Sequence, residues 1–155
     1  MNIPNIENLY KGLSVCLDIN SHIIESSACM ERLPKTVKEG FELSYQMANA
    51  AVKMRDVELL DKVYTLSGQL IPDERVIDSA VFVNIKKTQK QFEKKVIGLL
   101  KSHPSFLLKY KMVQLTNQKR AETNVAARQQ LQNRINVIYS QIILPHMQGF
   151  EHRAK

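Results

Sequence analysis

The chain of 155 residues is long enough to bury a core, and 44% apolar against 24% charged residues exclude a disordered protein. No apolar run approaches the roughly 18 residues that a membrane-spanning helix needs, so we expect no membrane span. Charge is divided between the halves: residues 1–83 carry 8 Lys and Arg against 12 Asp and Glu, whereas residues 84–155 carry 14 against 3, which predicts that the second half binds an anion.

Prolines and apolar stripes together predict the helices. The five prolines lie 30, 38, 32 and 41 residues apart, and each interval carries apolar residues at helical spacing. Since proline is favoured in the first turn of a helix and disfavoured in its interior, each interval is interpreted as one helix. The prediction is an all-α fold, an elongated bundle of about four long helices in a single domain over 1–155. The helices are expected at about 5–25, 35–69, 72–101 and 105–144.

The second predicted helix contains one ambiguous point. Its apolar residues stay in phase from Val37 to Leu70, and only Arg55 interrupts the stripe. Arg55 and Asp56 would suit the turn of a helical hairpin. Because a turn normally resets the helical phase and here the phase is kept, one long helix is favoured.

The fourth predicted helix changes its apolar face. One stripe comprises Leu108, Met112 and Leu115, and at about 100° per residue the next stripe is rotated from it by roughly 150°. Either the helix kinks or breaks within the polar residues 116–124, or residues 125–155 form a projecting C-terminal arm that docks elsewhere. The second stripe has the 4-3-4 spacing of a coiled-coil seam and is the predicted protein interface. It comprises Leu131, Ile135, Ile138 and Ile142.

Basic residues of the second half form the predicted binding surface for a polyanion or an acidic partner. Lysines of the third helix fall within about 60° of arc, nearly opposite its apolar stripe. A merely solvated helix face typically alternates Glu with Lys, whereas only three carboxylates follow residue 83. The predicted residues are Lys87, Lys90, Lys94, Lys101, Lys119, Arg120, Arg128 and Arg134.

Chemistry-bearing motifs are not evident in the sequence. Cys16 and Cys29 lie thirteen residues apart without a CxxC, and the four histidines are scattered. There is no GxSxG, HExxH or glycine-rich phosphate loop, so neither an enzyme nor a cofactor or metal site is expected. The N-terminus MNIPNIENLY lacks a basic stretch followed by an apolar one. We therefore expect no signal peptide and a soluble protein in the cytoplasm or elsewhere within the cell.

These patterns favour a non-catalytic assembly protein. The chain would act as a scaffold or adaptor that docks long helices on itself or on a larger protein, with its basic half meeting an acidic surface. The alternative is a nucleic-acid-binding protein. It would contact the phosphate backbone with little sequence selectivity, since no base-reading motif occurs.

Overall fold

The computed structural model describes the backbone of residues 5–27 and 29–154, and the side chains of residues 5–27 and 29–141. These residues form helices and no strand, which confirms the all-α prediction. The expectation of about four helices is wrong, because six are present. They are α1 (Ile6–Ser26), α2 (Leu33–Met54), α3 (Val57–Gly68), α4 (Ser79–Lys101), α5 (Pro104–Ala121) and α6 (Val125–Ala154).

Two compact units make up the chain, Met1–Leu99 and Leu100–Lys155. The single domain over 1–155 and the arm over 125–155 stay predictions. Within the described residues, none of the helices combines the length and apolarity needed to cross a membrane.

The first unit is organised around α2, which packs against both α1 and α3. The buried residues of α1 recur at intervals of four and three, so they form one stripe along the helix. That stripe is apolar except for Asn20, whose buried amide has no hydrogen-bond partner among the described residues. Helix α4 contacts α2 through Phe92, whose ring centroid lies 5.0 Å from that of Phe41.

A turn at Arg55 divides the second predicted helix, so the prediction of one helix over 35–69 is wrong. Arg55 adopts the left-handed conformation at φ 55°. The next amide, of Asp56, donates to the carbonyl of Ala51 at 2.9 Å, which closes α2. The Asp56 carboxylate then accepts from the amide of Leu59 at 3.0 Å and caps α3. The apolar stripe keeps a helical spacing in the sequence across this turn, because Val52 and Leu59, on either side of it, are seven residues apart. Seven residues equal about two helical turns.

Because Arg55 adopts the left-handed conformation, a glycine at position 55 is expected to stabilise the protein. Glycine adopts this conformation without a steric cost, whereas a residue with a Cβ does not. We expect Arg55→Gly to raise the free energy of unfolding by up to about 1 kcal/mol, measured by urea denaturation. Lys53→Gly, two residues earlier and within the last turn of α2, is the control and should lower it by up to about 1 kcal/mol. Equal losses in both variants would contradict the turn at Arg55.

The third predicted helix begins later than expected. Helix α4 starts at Ser79 rather than near residue 72, because the residues after Pro72 form a separate 3₁₀ turn, Glu74–Val76. Asp73 holds that turn by accepting from the amide of Arg75 at 2.9 Å. Asp78 accepts from the amide of Ala80 at 2.8 Å at the start of α4.

The second unit is built on a hairpin of α5 and α6, which pack against each other. Of the two alternatives for the fourth predicted helix, the structure shows the break, at residues 122–124. Polar side chains of residues 122–124 hold the turn between α5 and α6. The Glu122 carboxylate accepts from the amide of Asn124 at 3.0 Å, and the Asn124 side chain accepts from the amide of Ala127 at 3.1 Å. Residues 105–144 therefore belong to two helices, and α6 extends to Ala154.

Candidate docking surfaces

The lysines of α4 lie where their spacing predicts. Lys87, Lys90 and Lys94, hereafter the lysine row, are exposed. The opposite side of the helix is buried, since Ile85 and Val96 are both fully covered. The row therefore faces solvent along about two turns of helix.

Two apolar side chains extend the face that carries the lysine row. Val83 is 66% exposed and Ile97 is 48% exposed. They continue the 4-3-4-3 spacing of the row at its two ends, so both lie on the same side of α4. The spacing of Val83 and Ile97 relative to the lysines is visible in the sequence. Only the exposure of both side chains shows that they belong to the surface and not to the core.

The charges of the lysine row are not neutralised by neighbouring carboxylates. Within the described side chains, Asp73 and Arg75 form the one ion pair, with an N–O distance of 2.6 Å. Hydrogen bonds from Arg75 hold the pKa of the Asp73 carboxyl below its usual value. Neighbouring lysines have other contacts: Lys86 donates to Gln89, and the Lys95 ammonium lies 5.9 Å from the ring centroid of Tyr45. Since no ion pair among the described side chains involves the lysine row, its ammonium groups are available to a partner.

The other predicted basic residues belong to the second unit. Lys101 lies exposed in the last turn of α4, and Arg120 and Arg128 are exposed on the hairpin. Lys119 is half-buried and donates to the side chain of Gln132 on α6, so it joins the two helices. Arg134 is exposed and lines a groove between them. The eight predicted residues therefore fall into two groups, three in the first unit and five in the second.

The predicted interface seam lies on α6 and is partly covered. Leu131, Ile135 and Ile138 are half-buried, while Ile142 lies outside the described side chains. Among the α6 side chains that the structure describes, at positions 125–141, none is fully buried. One helix, α5, is therefore not enough to cover the apolar side of α6.

A groove runs along one side of the hairpin, hereafter the hairpin groove. It consists of two adjoining depressions of about 550 and 460 Å³ that share Gln118 and Arg134. Cations occur between the apolar side chains, because Lys111 and Arg134 both line the larger depression. The apolar residues of the groove are Leu108, Leu115, Ala121, Ala127, Leu131, Val137 and Ile138.

The hairpin groove was missed from the sequence, although part of its pattern was visible. On α6, its residues include Ala127, Leu131, Arg134 and Ile138 at 4-3-4 spacing. The predicted seam contained Leu131 and Ile138, but paired them with Ile135, which does not line the groove. The alignment of these residues with the α5 stripe depends on the turn at 122–124, which spacing alone does not define.

Two further depressions lie in the first unit. One, of about 330 Å³, lies between α2 and α4 around Phe41 and Phe92. Another, of about 700 Å³, lies between α1 and α2 beside His22 and Cys29. Among the described side chains, no group of three His, Cys, Asp or Glu is placed to hold a metal ion.

Two ionisable groups, the buried Cys16 and the half-buried Tyr64, have raised pKa values. Burial raises the pKa of the Cys16 thiol, and the nearby Glu39 carboxylate raises it further. Burial likewise raises the pKa of the Tyr64 hydroxyl, and the Glu93 carboxylate adds to the effect. Because the thiolate is the reactive form of cysteine, Cys16 is suited to packing rather than to nucleophilic attack.

Comparison with known proteins adds no relative: no family model, curated protein or solved structure matches the chain. Its function is therefore inferred from the surfaces described above.

Proposed function

We propose that the protein is a non-catalytic helical scaffold or adaptor, which docks helices on itself or on a larger protein through its C-terminal hairpin. The observation that carries this proposal is the hairpin groove, an open depression lined by apolar residues of both helices, of which Ala121 and Val137 are exposed. Contiguous exposed apolar surface edged by polar side chains is typical of a protein interaction site. The basic side chains of the hairpin fit an acidic partner surface.

The alternative is binding to the phosphate backbone of a nucleic acid, and the lysine row favours it. Its three ammonium groups are exposed and have no carboxylate partner among the described residues. Phosphate contacts of this kind give salt-dependent affinity without base selectivity. The row is one helix face of modest length, so scaffolding through the hairpin remains the first proposal.

Light scattering coupled to size exclusion tests the proposal, at low and high salt and with the absorbance ratio recorded. We expect an assembly that is a multiple of the 17.8 kDa chain and free of nucleic acid. A monomer that carries nucleic acid, removable by salt, would contradict scaffolding and support the alternative.

Substitutions on α6 test the role of the hairpin. We expect the double variant Ile135→Asp and Ile138→Asp to lose the assembly, because each carboxylate would have to be desolvated in an apolar contact. Since these side chains are half-buried, Val137→Lys provides a second variant at a position that is 59% exposed and lines the groove. Circular dichroism checks that each variant is folded. An unchanged mass in folded variants would show that α6 is not the interface.

A further inference from the structure

The cations of the hairpin groove restrict what can bind there. Lys111 and Arg134 line the groove between its apolar residues, so a helix that enters must bring a carboxylate within its own apolar face. From Leu108 to Glu122 the α5 side of the groove extends about 21 Å, at 1.5 Å per residue. This length accommodates about four turns of a docked helix.

Two hairpins are poorly suited to bind each other. Residues 100–141 carry seven Lys and Arg against one carboxylate, Glu122. A symmetric contact between two copies of the hairpin would place these like charges against each other. The occupant of the groove is therefore a surface of opposite charge.

Helix α1 presents a surface of the required kind. Val15 is 55% exposed and Ile19 is 45% exposed, and Ile19 also lines the depression between α1 and α2. The exposed Asp18 lies between them in sequence, and at about 100° per residue the three side chains share one face. Glu7 and Glu25 add two exposed carboxylates to the same helix.

Helix α3 is less suited, although it also carries exposed carboxylates. Its apolar side chains are already used in the first unit, since Leu60 and Val63 are fully covered. It can offer charge to the hairpin groove but no apolar contact.

We propose that the hairpin groove of one copy receives the exposed face of α1 from a second copy, in a head-to-tail contact. The proposal rests on the proposed scaffold function and names the partner of that site. Val15 and Ile19 contact the apolar residues of the groove, and Asp18 lies against Lys111 and Arg134. Because the contact joins two different surfaces, a pair of copies keeps one free α1 face on the first copy and one free groove on the second. The assembly therefore grows with concentration, unless the geometry closes it into a ring.

Two variants that each disable one surface test the contact. The groove variant carries Ala121→Lys and Val137→Lys at two positions that line the groove, and the α1 variant carries Val15→Lys and Asp18→Lys. All four positions are exposed, so both variants should fold, which circular dichroism checks. Each alone is expected to run as a 17.8 kDa monomer in light scattering. Mixed in equal amounts, they should form a heterodimer of twice that mass, because the groove variant keeps α1 and the α1 variant keeps the groove.

Two control substitutions test whether the loss of assembly is specific to the two surfaces. Lys109→Glu and Glu58→Lys reverse exposed charges outside both surfaces and should keep the wild-type mass. If the wild type is monomeric at every concentration, or if the mixture stays monomeric, the head-to-tail contact is wrong. If the wild type assembles but both disabled variants keep its mass, the contact is also wrong, while the scaffold function stands.

Discussion

Replacing Phe41 with Ala is expected to lower the free energy of unfolding by about 3–5 kcal/mol. Phe41 is 4% exposed, and its ring lies against that of Phe92 at an interplanar angle of 36°. The substitution removes a buried aromatic side chain and leaves a cavity, because the surrounding helices relax only partly. It also removes an aromatic pair, which typically contributes about 0.5–1.5 kcal/mol beyond area burial.

Urea denaturation monitored by circular dichroism measures the effect of Phe41→Ala as a shift of the midpoint. Tyr139→Ala is the matched control, since that aromatic ring is 54% exposed and its loss should change stability by less than about 0.5 kcal/mol. A loss below about 1 kcal/mol for Phe41→Ala would mean that this side chain does not hold α4 on α2.

Replacing Gly40 with Val is expected to lower the free energy of unfolding by about 1–3 kcal/mol. A Cβ at Gly40 would lie only 2.5 Å from Cδ2 of Leu70 and 3.0 Å from its Cδ1. Leu70 is 1% exposed, so its side chain has no free space into which it can turn. The added methyl groups would therefore push the turn after α3 away from α2.

Gly98→Val is the matched control for this prediction. A Cβ at Gly98, inside α4, meets nothing within 4 Å. Because valine has a slightly better helix propensity than glycine, this variant should be as stable as the wild type or more stable by a few tenths of a kcal/mol. If the two variants unfold at the same urea concentration, the close approach of Leu70 to α2 is contradicted.

Proline positions predicted some helix boundaries and failed at Pro72 and at Pro145, the second of which lies inside α6. Pro34 and Pro104 lie in the first turns of α2 and α5, as expected. Pro72 does not open a helix, because Asp73 and Asp78 each cap the backbone locally and hold an intervening turn. Side-chain caps of this kind compete with helix, and spacing of apolar residues does not reveal which of them wins.

The division of α2 from α3 was hidden for a different reason. A left-handed residue is usually glycine or asparagine, and here it is Arg55. The N-cap at Asp56 was the better signal. The continuous apolar stripe favoured one long helix instead, but two helices that pack on one core produce the same stripe.

The candidate surfaces were predictable to the extent that they depend on a single helix. The lysine row follows from spacing along α4, and the structure places its three side chains in solvent. The hairpin groove needs two helices in a defined register. Its cations, Lys111 and Arg134, lie 23 residues apart in sequence and come together only through the turn between α5 and α6.

Most helices that pack together in this protein are consecutive in the chain. Helix α1 pairs with α2, α2 with α3 across two residues, and α5 with α6 across three. Each pairing closes only a short loop, so little chain entropy is lost before the helices gain their contacts. Proteins dominated by such local contacts fold rapidly. The hairpin groove can thus form as soon as α6 has left the ribosome, without contacts from the rest of the chain or from a second copy.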